Sequence, residues 1–298
     1  MEEVAAPRYI RSIQNHRNAI NWIAFSPDSN RLVSASDDKT VMVWSPNERT
    51  NICHKYNGHK DAVTSVSMTN SFIVSGSKDC TARLWRLVTD DDNLSHLTDS
   101  SIYRCHQSPI RCVDINSEET NFCTSSDDKT IKIWSATATN KCISTFSGVH
   151  TNWVRHARYS KLSPFLFGSC GDDGLICIWD TRTKPQNRAA IKLKSRGRST
   201  HYLGIQWHPN CKYIISSGST DSSIRIWDLR YEKSIQSYQI HEGIVTSTDF
   251  HRSGNYLLSS SSDQTCKLLN LYEGRPLFTI RAHTGPTLVV DRVLTILR

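Results

Sequence analysis

Residues 125–134 read Ser-Ser-Asp-Asp-Lys-Thr-Ile-Lys-Ile-Trp. An acidic turn runs straight into an alternating, β-branched strand that ends on Trp134. The same phrase recurs. It appears as SASDDKTVMVW ending at Trp44, SGSKDCTARLW at Trp85, GDDGLICIW at Trp179 and GSTDSSIRIW at Trp227. A sixth copy, SSSDQTCKLLN, puts Leu269 in the Trp position. Successive copies lie 41, 49, 45, 48 and 42 residues apart. A fixed period of this size marks stacked supersecondary units, each too small to bury its own apolar face.

Other positions keep step with the Trp. Six residues before it stands an Asp: Asp38, Asp79, Asp128, Asp173, Asp221 and Asp263. Four residues earlier is a hydroxyl: Ser34, Ser75, Thr124, Ser169, Ser217 and Ser259. A His precedes the Asp by 20–23 residues at His16, His59, His106, His150 and His241, while the fifth unit has Arg198 there. Motifs such as SPDSN, HPNCK and HRSGN read as turns between strands. The Asp carboxylate in its tight turn can accept from backbone N–H groups and from the His. The His is expected to donate onward to the hydroxyl and the indole, so that each blade satisfies its own buried polar groups. The structural set is then His16, Ser34, Asp38 and Trp44; His59, Ser75, Asp79 and Trp85; His106, Thr124, Asp128 and Trp134; and His150, Ser169, Asp173 and Trp179.

This pattern resembles WD40 proteins along essentially the whole chain. The resemblance implies an all-β propeller of four-stranded blades around a central channel. Each sequence unit then supplies the outer strand of one blade and the inner three of the next. The units read as 9–50, 51–90, 100–138, 142–184, 189–232 and 234–273, with a partial one at 277–298. The plan is seven-bladed, with six complete blades and an incomplete closing blade. From His16 to Trp44 takes 28 residues, but only 15 follow His283, and no turn Asp or Trp comes after it. The closing blade is therefore expected to combine YIRSIQNH with one C-terminal strand. Such an open sheet edge would lower stability, as expected of a truncated or alternatively spliced product.

Composition narrows the function. Ten Cys occur with no C-x-x-C pair, so no zinc site is expected and most read as small core residues in a reducing cytosol. The segment MEEVAAPRYI lacks an apolar core and does not read as a secretory signal, and no apolar run is long enough to span a bilayer. Asp, His and Ser recur together, yet once per blade, which fits a folding requirement rather than a single hydrolase triad. G-x-S-x-G, P-loop, H-E-x-x-H and G-x-G-x-x-G motifs are all missing. No enzyme activity, cofactor, metal or small-molecule substrate is expected.

The net charge of +8 favours acidic partners. Residues 182–198 carry seven Lys or Arg and no acid, and Lys192, Lys194 and Arg196 are candidate contacts for acidic protein surfaces such as tubulin tails. Aromatic residues are not interleaved there, which argues against nucleic acid at that stretch. The acidic run Asp90–Asp92 reads as a solvated loop between blades two and three. By the resemblance, the residue before each turn Asp faces one rim. Asp37, Lys78, Asp127 and Asp172 are accordingly candidate partner contacts, with Thr220 and Ser262 at the same step and Trp153 and Arg155 nearby.

Three blocks, GHKDAVTSV, HTNWVRHARYS and the long block YQIHEGIV through RAHTGPT, are similar to the proteome-of-centriole family of WD40 proteins. The long block includes the Trp-less sixth unit followed by L-x-E-G-R. That resemblance implies a scaffold at the centriole or ciliary basal body, with tubulin or centriolar proteins as partners and a cytoplasmic, cytoskeletal location. The family's C-terminal coiled coil does not occur in this chain, so a monomer is expected. A competing reading rests on Trp179-Asp180-Thr181-Arg182 and Trp227-Asp228-Leu229-Arg230. Such Trp-Asp-x-Arg motifs resemble those of substrate receptors for cullin-type ubiquitin ligases. Nucleic acid is not the expected partner of the chain as a whole, and an RNA-associated basic propeller stands as a third reading.

Overall fold

The computed structural model describes residues 15–46, 53–87, 100–183, 189–194, 200–281 and 285. Among these residues the chain forms six four-stranded antiparallel sheets. Blade one holds β1 (Ile20–Phe25), β2 (Leu32–Ser36), β3 (Thr40–Trp44) and β4 (Cys53–Asn57). Blade two holds β5 (Val63–Met68), β6 (Phe72–Ser77), β7 (Thr81–Arg86) and β8 (Ser100–Arg104). Blade three holds β9 (Ile110–Ile115), β10 (Asn121–Ser126), β11 (Ile131–Ser135) and β12 (Cys142–Phe146). Blade four holds β13 (Val154–Ser160), β14 (Ser163–Gly171), β15 (Leu175–Asp180) and β16 (Ile191–Lys194). Blade five holds β17 (Tyr202–Trp207), β18 (Ile214–Ser219), β19 (Ile224–Asp228) and β20 (Lys233–Tyr238). Blade six holds β21 (Val245–Phe250), β22 (Tyr256–Ser261), β23 (Cys266–Asn270) and β24 (Arg275–Ile280).

The first strand of each sheet is innermost. β1 packs on β5, β5 on β9, β9 on β13, β13 on β17 and β17 on β21, so the sheets follow one another around an axis as propeller blades. Among the described residues β21 and β1 do not pack on each other in this way. The expected closing blade falls mostly on residues outside those described, as do Arg196, Arg198 and His283. One placement needs correction. Asp90–Asp92 are themselves outside the described residues, but the strands on either side, β7 and β8, pair with each other. The acidic run therefore belongs to a loop inside blade two, not between blades two and three.

The third strand of each of the first five sheets carries a Trp, which from blade two onward forms the wedge against the preceding sheet. Trp85 of blade two, fully buried, packs with Val33 and Tyr56 of blade one. Outer strands contribute a matching ring: Tyr56 lies 5.7 Å from Trp85, Tyr103 5.8 Å from Trp134 and Phe146 5.1 Å from Trp179. These edge-to-face contacts add to the area each pair buries. In blade six the corresponding slot is Leu269, fully buried but with no indole to cover the outer strand of blade five. Tyr238, the β20 ring at the place of Tyr103, is only half-buried, whereas Tyr103 in β8 is fully buried. We expect β20 amides to exchange with solvent at least about tenfold faster than those of β8 in hydrogen-exchange mass spectrometry. Equal protection of the two strands would remove the link to Leu269.

One level of the axis is occupied by an aromatic side chain. Trp22 of β1 crosses to blade four, with its ring 5.1 Å from His156 and the Arg158 guanidinium 5.2 Å away. The neighbouring blades offer small residues at the equivalent step, Ser65, Cys112, Gly204 and Ser247, which leave room for the indole.

Candidate functional site

Each turn Asp sits at the β2–β3 type of corner, so all of them share one end of the propeller. In blade two the chain of contacts is complete. Trp85 Nε1 donates to Ser75 Oγ (2.8 Å), Ser75 Oγ meets His59 Nε2 (2.8 Å) and His59 Nδ1 donates to Asp79 Oδ2 (2.9 Å). The carboxylate also accepts from the backbone N–H groups of Lys60 and Thr81 and from the Thr81 hydroxyl. Burial, opposed by the bond to Asp79, holds His59 below the ordinary imidazole range and so neutral. With its one proton on Nδ1, Nε2 accepts from Ser75 rather than donating to it. The sequence-based direction is thus reversed on this side of the ring. Proton donation runs one way along the chain, from indole to hydroxyl to imidazole to Asp.

The same geometry joins His16 with Asp38 (2.9 Å) and Ser34 (2.7 Å), His106 with Asp128 (2.7 Å) and Thr124 (2.7 Å), and His150 with Asp173 (2.8 Å) and Ser169 (2.8 Å). Trp44, Trp134 and Trp179 donate to Ser34, Thr124 and Ser169 at 2.9, 3.1 and 2.8 Å. Every hydroxyl in these sets is therefore held between an indole and an imidazole, with no substrate-facing nucleophile among them.

Blade five solves the problem differently. Trp227 still donates to Ser217 (2.9 Å), but Asp221 is paired with Arg225 (2.5 Å) and with the Ser219 and Ser223 hydroxyls. Arg225 lies on β19, four residues after the Asp, and gives the carboxylate the side-chain N–H donor that a neutral imidazole gives it elsewhere. His201 turns away to the Asp172 carbonyl (2.5 Å). Blade six keeps His241 between Asp263 (2.9 Å) and Ser259 (2.8 Å) even without the Trp.

Above these networks lies the rim. Arg111 chelates Asp127 through Nε (2.8 Å) and Nη2 (2.6 Å), and Arg155 chelates Asp172 in the same way (2.8 and 2.6 Å). Between them stands Trp153, 41% exposed, with the Arg111 and Arg155 guanidiniums 5.4 and 4.9 Å from its ring. Asp37 accepts from Asn21 (2.7 Å), and that amide also donates to the Val63 carbonyl, tying blade one to blade two. Lys78 is exposed at the equivalent step of blade two. Lys192 and Lys194 lie apart from this group, exposed on the outer strand β16 of blade four.

The chain matches the family described as WD domain, G-beta repeat, at residues 7–45, 50–86, 98–135, 140–180, 195–228 and 232–270.

It belongs to the WD40 family.

Among curated relatives, a nuclear distribution protein PAC1 from Arthroderma benhamiae is 29% identical over 96% of this chain and 65% of its own length. Human apoptotic protease-activating factor 1 is 29% identical over 79% of the chain and 18% of its own length. A guanine nucleotide-binding protein subunit beta from Arabidopsis thaliana is 28% identical over 86% and 69%. The chain thus spans slightly under two thirds of the nuclear distribution protein that it matches.

Two features of this WD40 site escaped the sequence reading. Arg111 was not singled out, although it occupies the same strand step as Arg155 one unit earlier. The axial network was also missed. There Arg158 donates to Asp114 (2.8 Å), whose other oxygen accepts the Tyr159 N–H (2.8 Å), beside a cavity of about 290 Å³ that Gln206 and Asn116 also line. Among the described residues no His, Cys, Asp and Glu cluster could hold a metal, and no helix is long and apolar enough to cross a membrane.

Proposed function

We propose that the chain is a non-catalytic protein-interaction scaffold that docks partners on the rim around Trp153. One observation carries this reading: an exposed indole flanked by two guanidiniums, each braced by its own carboxylate. The bracing fixes the arginine rotamers before a partner arrives, which removes an ordering cost from binding. Trp and Arg are also the residue types that dominate interface energies. Asp127 and Asp172 brace this anchor, and Asp37 and Lys78 stand at the same step of blades one and two. A Trp153→Ala variant should bind partners at least tenfold more weakly, a loss of about 1.4 kcal/mol or more. Its melting temperature should stay near that of the parent, because the ring is largely outside the core. Unchanged partner recovery in a quantitative pull-down would refute the rim assignment.

At a finer level we read the scaffold as a centriole or ciliary basal-body component. Support comes from the three sequence blocks and the Trp-less sixth unit. The relatives carry names for nuclear distribution, apoptosis and G-protein signalling, and so speak for the shared propeller rather than for one location. Proximity labelling from a tagged copy decides the matter: centriolar and tubulin neighbours are expected. For tubulin, Lys192, Lys194 and Arg196 are the proposed contacts, and changing all three to Glu should reduce microtubule co-sedimentation severalfold at low salt. A second reading, a substrate receptor of a cullin-type ligase, draws on the exposure of both Trp-Asp-x-Arg arginines, Arg182 and Arg230. It predicts adaptor and cullin subunits among the labelled neighbours instead. We also retain the seven-blade plan, in which residues 9–14 and those after Ile280 would supply a closing sheet beside β1 and β21, which do not pack on each other as the other inner strands do.

A further inference from the structure

The end of the propeller opposite the turn Asp residues has a different chemistry. In an antiparallel four-stranded sheet the first and third hairpin turns share one end. On blades four, five and six those turns bring exposed aromatic rings and cations together. Phe165 carries the Arg182 guanidinium 5.0 Å from its ring. The equivalent place in blade five has Tyr213, with Arg230 at 5.5 Å and the Lys212 ammonium at 5.1 Å. Arg230 also lies 5.6 Å from the ring of Tyr231, which is 66% exposed, and Tyr272 at the corresponding turn of blade six is 96% exposed. Asn210 donates to the carbonyls of Arg252 and Ser253 (3.1 and 3.2 Å), binding the turns of blades five and six into one surface.

The balance of charge at this surface is outward-positive. Arg182 and Arg230 each chelate an Asp two residues earlier, with the Asp beneath the Arg; the turns also expose Glu232 beside Tyr231 and Glu273, paired with Arg275, beside Tyr272, so the cations exceed the exposed acids without excluding them. The Asp180 and Asp228 side chains are 14% and 5% exposed, against 63% and 54% for the arginines. Chelation uses Nε and Nη2 of each guanidinium, leaving the Nη1 edge for an external acceptor. A surface that alternates ring faces with fixed cations suits a polymer that alternates flat bases with phosphates. An acidic peptide would use the cations and leave the rings idle.

We propose that this end of blades four to six binds single-stranded nucleic acid, with bases stacking on Tyr231 and Tyr272 and phosphates meeting Arg182, Lys212, Arg230 and Arg252. This surface is separate from the Trp153 rim, so the two assignments stand or fall independently. The test is fluorescence anisotropy of the full chain with a labelled 20-nucleotide oligouridylate. Four phosphate contacts predict about a fiftyfold weakening between 50 and 200 mM salt. An Arg182→Gln/Arg230→Gln variant should bind at least tenfold more weakly. A Tyr231→Ala/Tyr272→Ala variant should lose at least about thirtyfold for the single strand and little for a duplex of equal length. All four positions are solvent-facing, and thermal melting checks that each variant folds. The proposal is overturned by an absence of binding at 50 mM salt. It is overturned equally by tyrosine variants that bind like the parent, or by polyglutamate competing as well as the oligonucleotide, which would mark an acidic-protein site.

Discussion

Trp179→Ala is expected to lower the unfolding free energy by about 4 kcal/mol, the usual range for truncating a buried aromatic. Trp179 is 1% exposed. It stacks on Phe167 at 5.9 Å and meets Phe146 of blade three edge-on at 5.1 Å, so it is the wedge between two sheets. Its indole N–H also donates to Ser169, which in turn serves His150. Alanine would leave a cavity and remove one donor from a buried chain. A Trp179→Phe variant separates the two losses: most of the ring is kept, and a deficit of about 1 kcal/mol would measure the hydrogen bond. Urea titration reads both through the midpoint at constant slope. A Trp179→Ala midpoint within error of the parent would show that blades three and four do not depend on this wedge.

Acid is the second large perturbation, because it acts on every blade that carries the His–Asp pair. Burial alone would raise the Asp38 carboxyl, but hydrogen bonds from Thr40, His16 and the Arg17 N–H outweigh it and hold the group at about 2. Burial likewise opposes, and the His106 and Thr130 bonds overcome, at Asp128, which also sits at about 2. Asp79, Asp173 and Asp263 are lowered by the equivalent partners. A carboxyl whose folded value lies below its unfolded value contributes stability above the unfolded value and loses it as pH falls through the folded one. For these residues the window runs from about pH 4 down to about pH 2. His59 and His241 add to the slope from higher pH: burial lowers both in the folded state, so protonation below about pH 6.5 favours the unfolded chain. Stability should therefore be flat near neutrality, sag gently below pH 6.5 and fall steeply under pH 4. An Asp128→Asn variant should show a shallower acid limb and a lower plateau at pH 7. A parent protein equally stable at pH 7 and pH 3 would contradict the role given to these networks.

The repeat was legible because its physics is local. Turn chemistry, strand alternation and a fixed interval to the Trp all lie within one unit, and the His, hydroxyl and Asp slots could be aligned by counting. The Leu269 departure could be seen in the same way, though its effect on β20 could not, since that strand belongs to the neighbouring sheet. The direction of the hydrogen bonds at His59 was misjudged because protonation depends on burial, which spacing does not report. Blade five shows the same limit. Arg198 marked a break in the pattern, but the replacement partner, Arg225, came from the strand after the turn and looked like one more exposed cation.

Sequence alone therefore determined the blade, its repeat and the residues that must satisfy one another inside it. Only the tertiary structure decided what the blades present to one another and to solvent. Trp22 reaches across the axis to blade four, more than 130 residues away in the chain. Arg111 of blade three and Arg155 of blade four flank one indole, and the aromatic and cationic turns of blades five and six are joined into one surface. Such surfaces arise from the ring that places distant units side by side, and no interval within a single repeat encodes that adjacency.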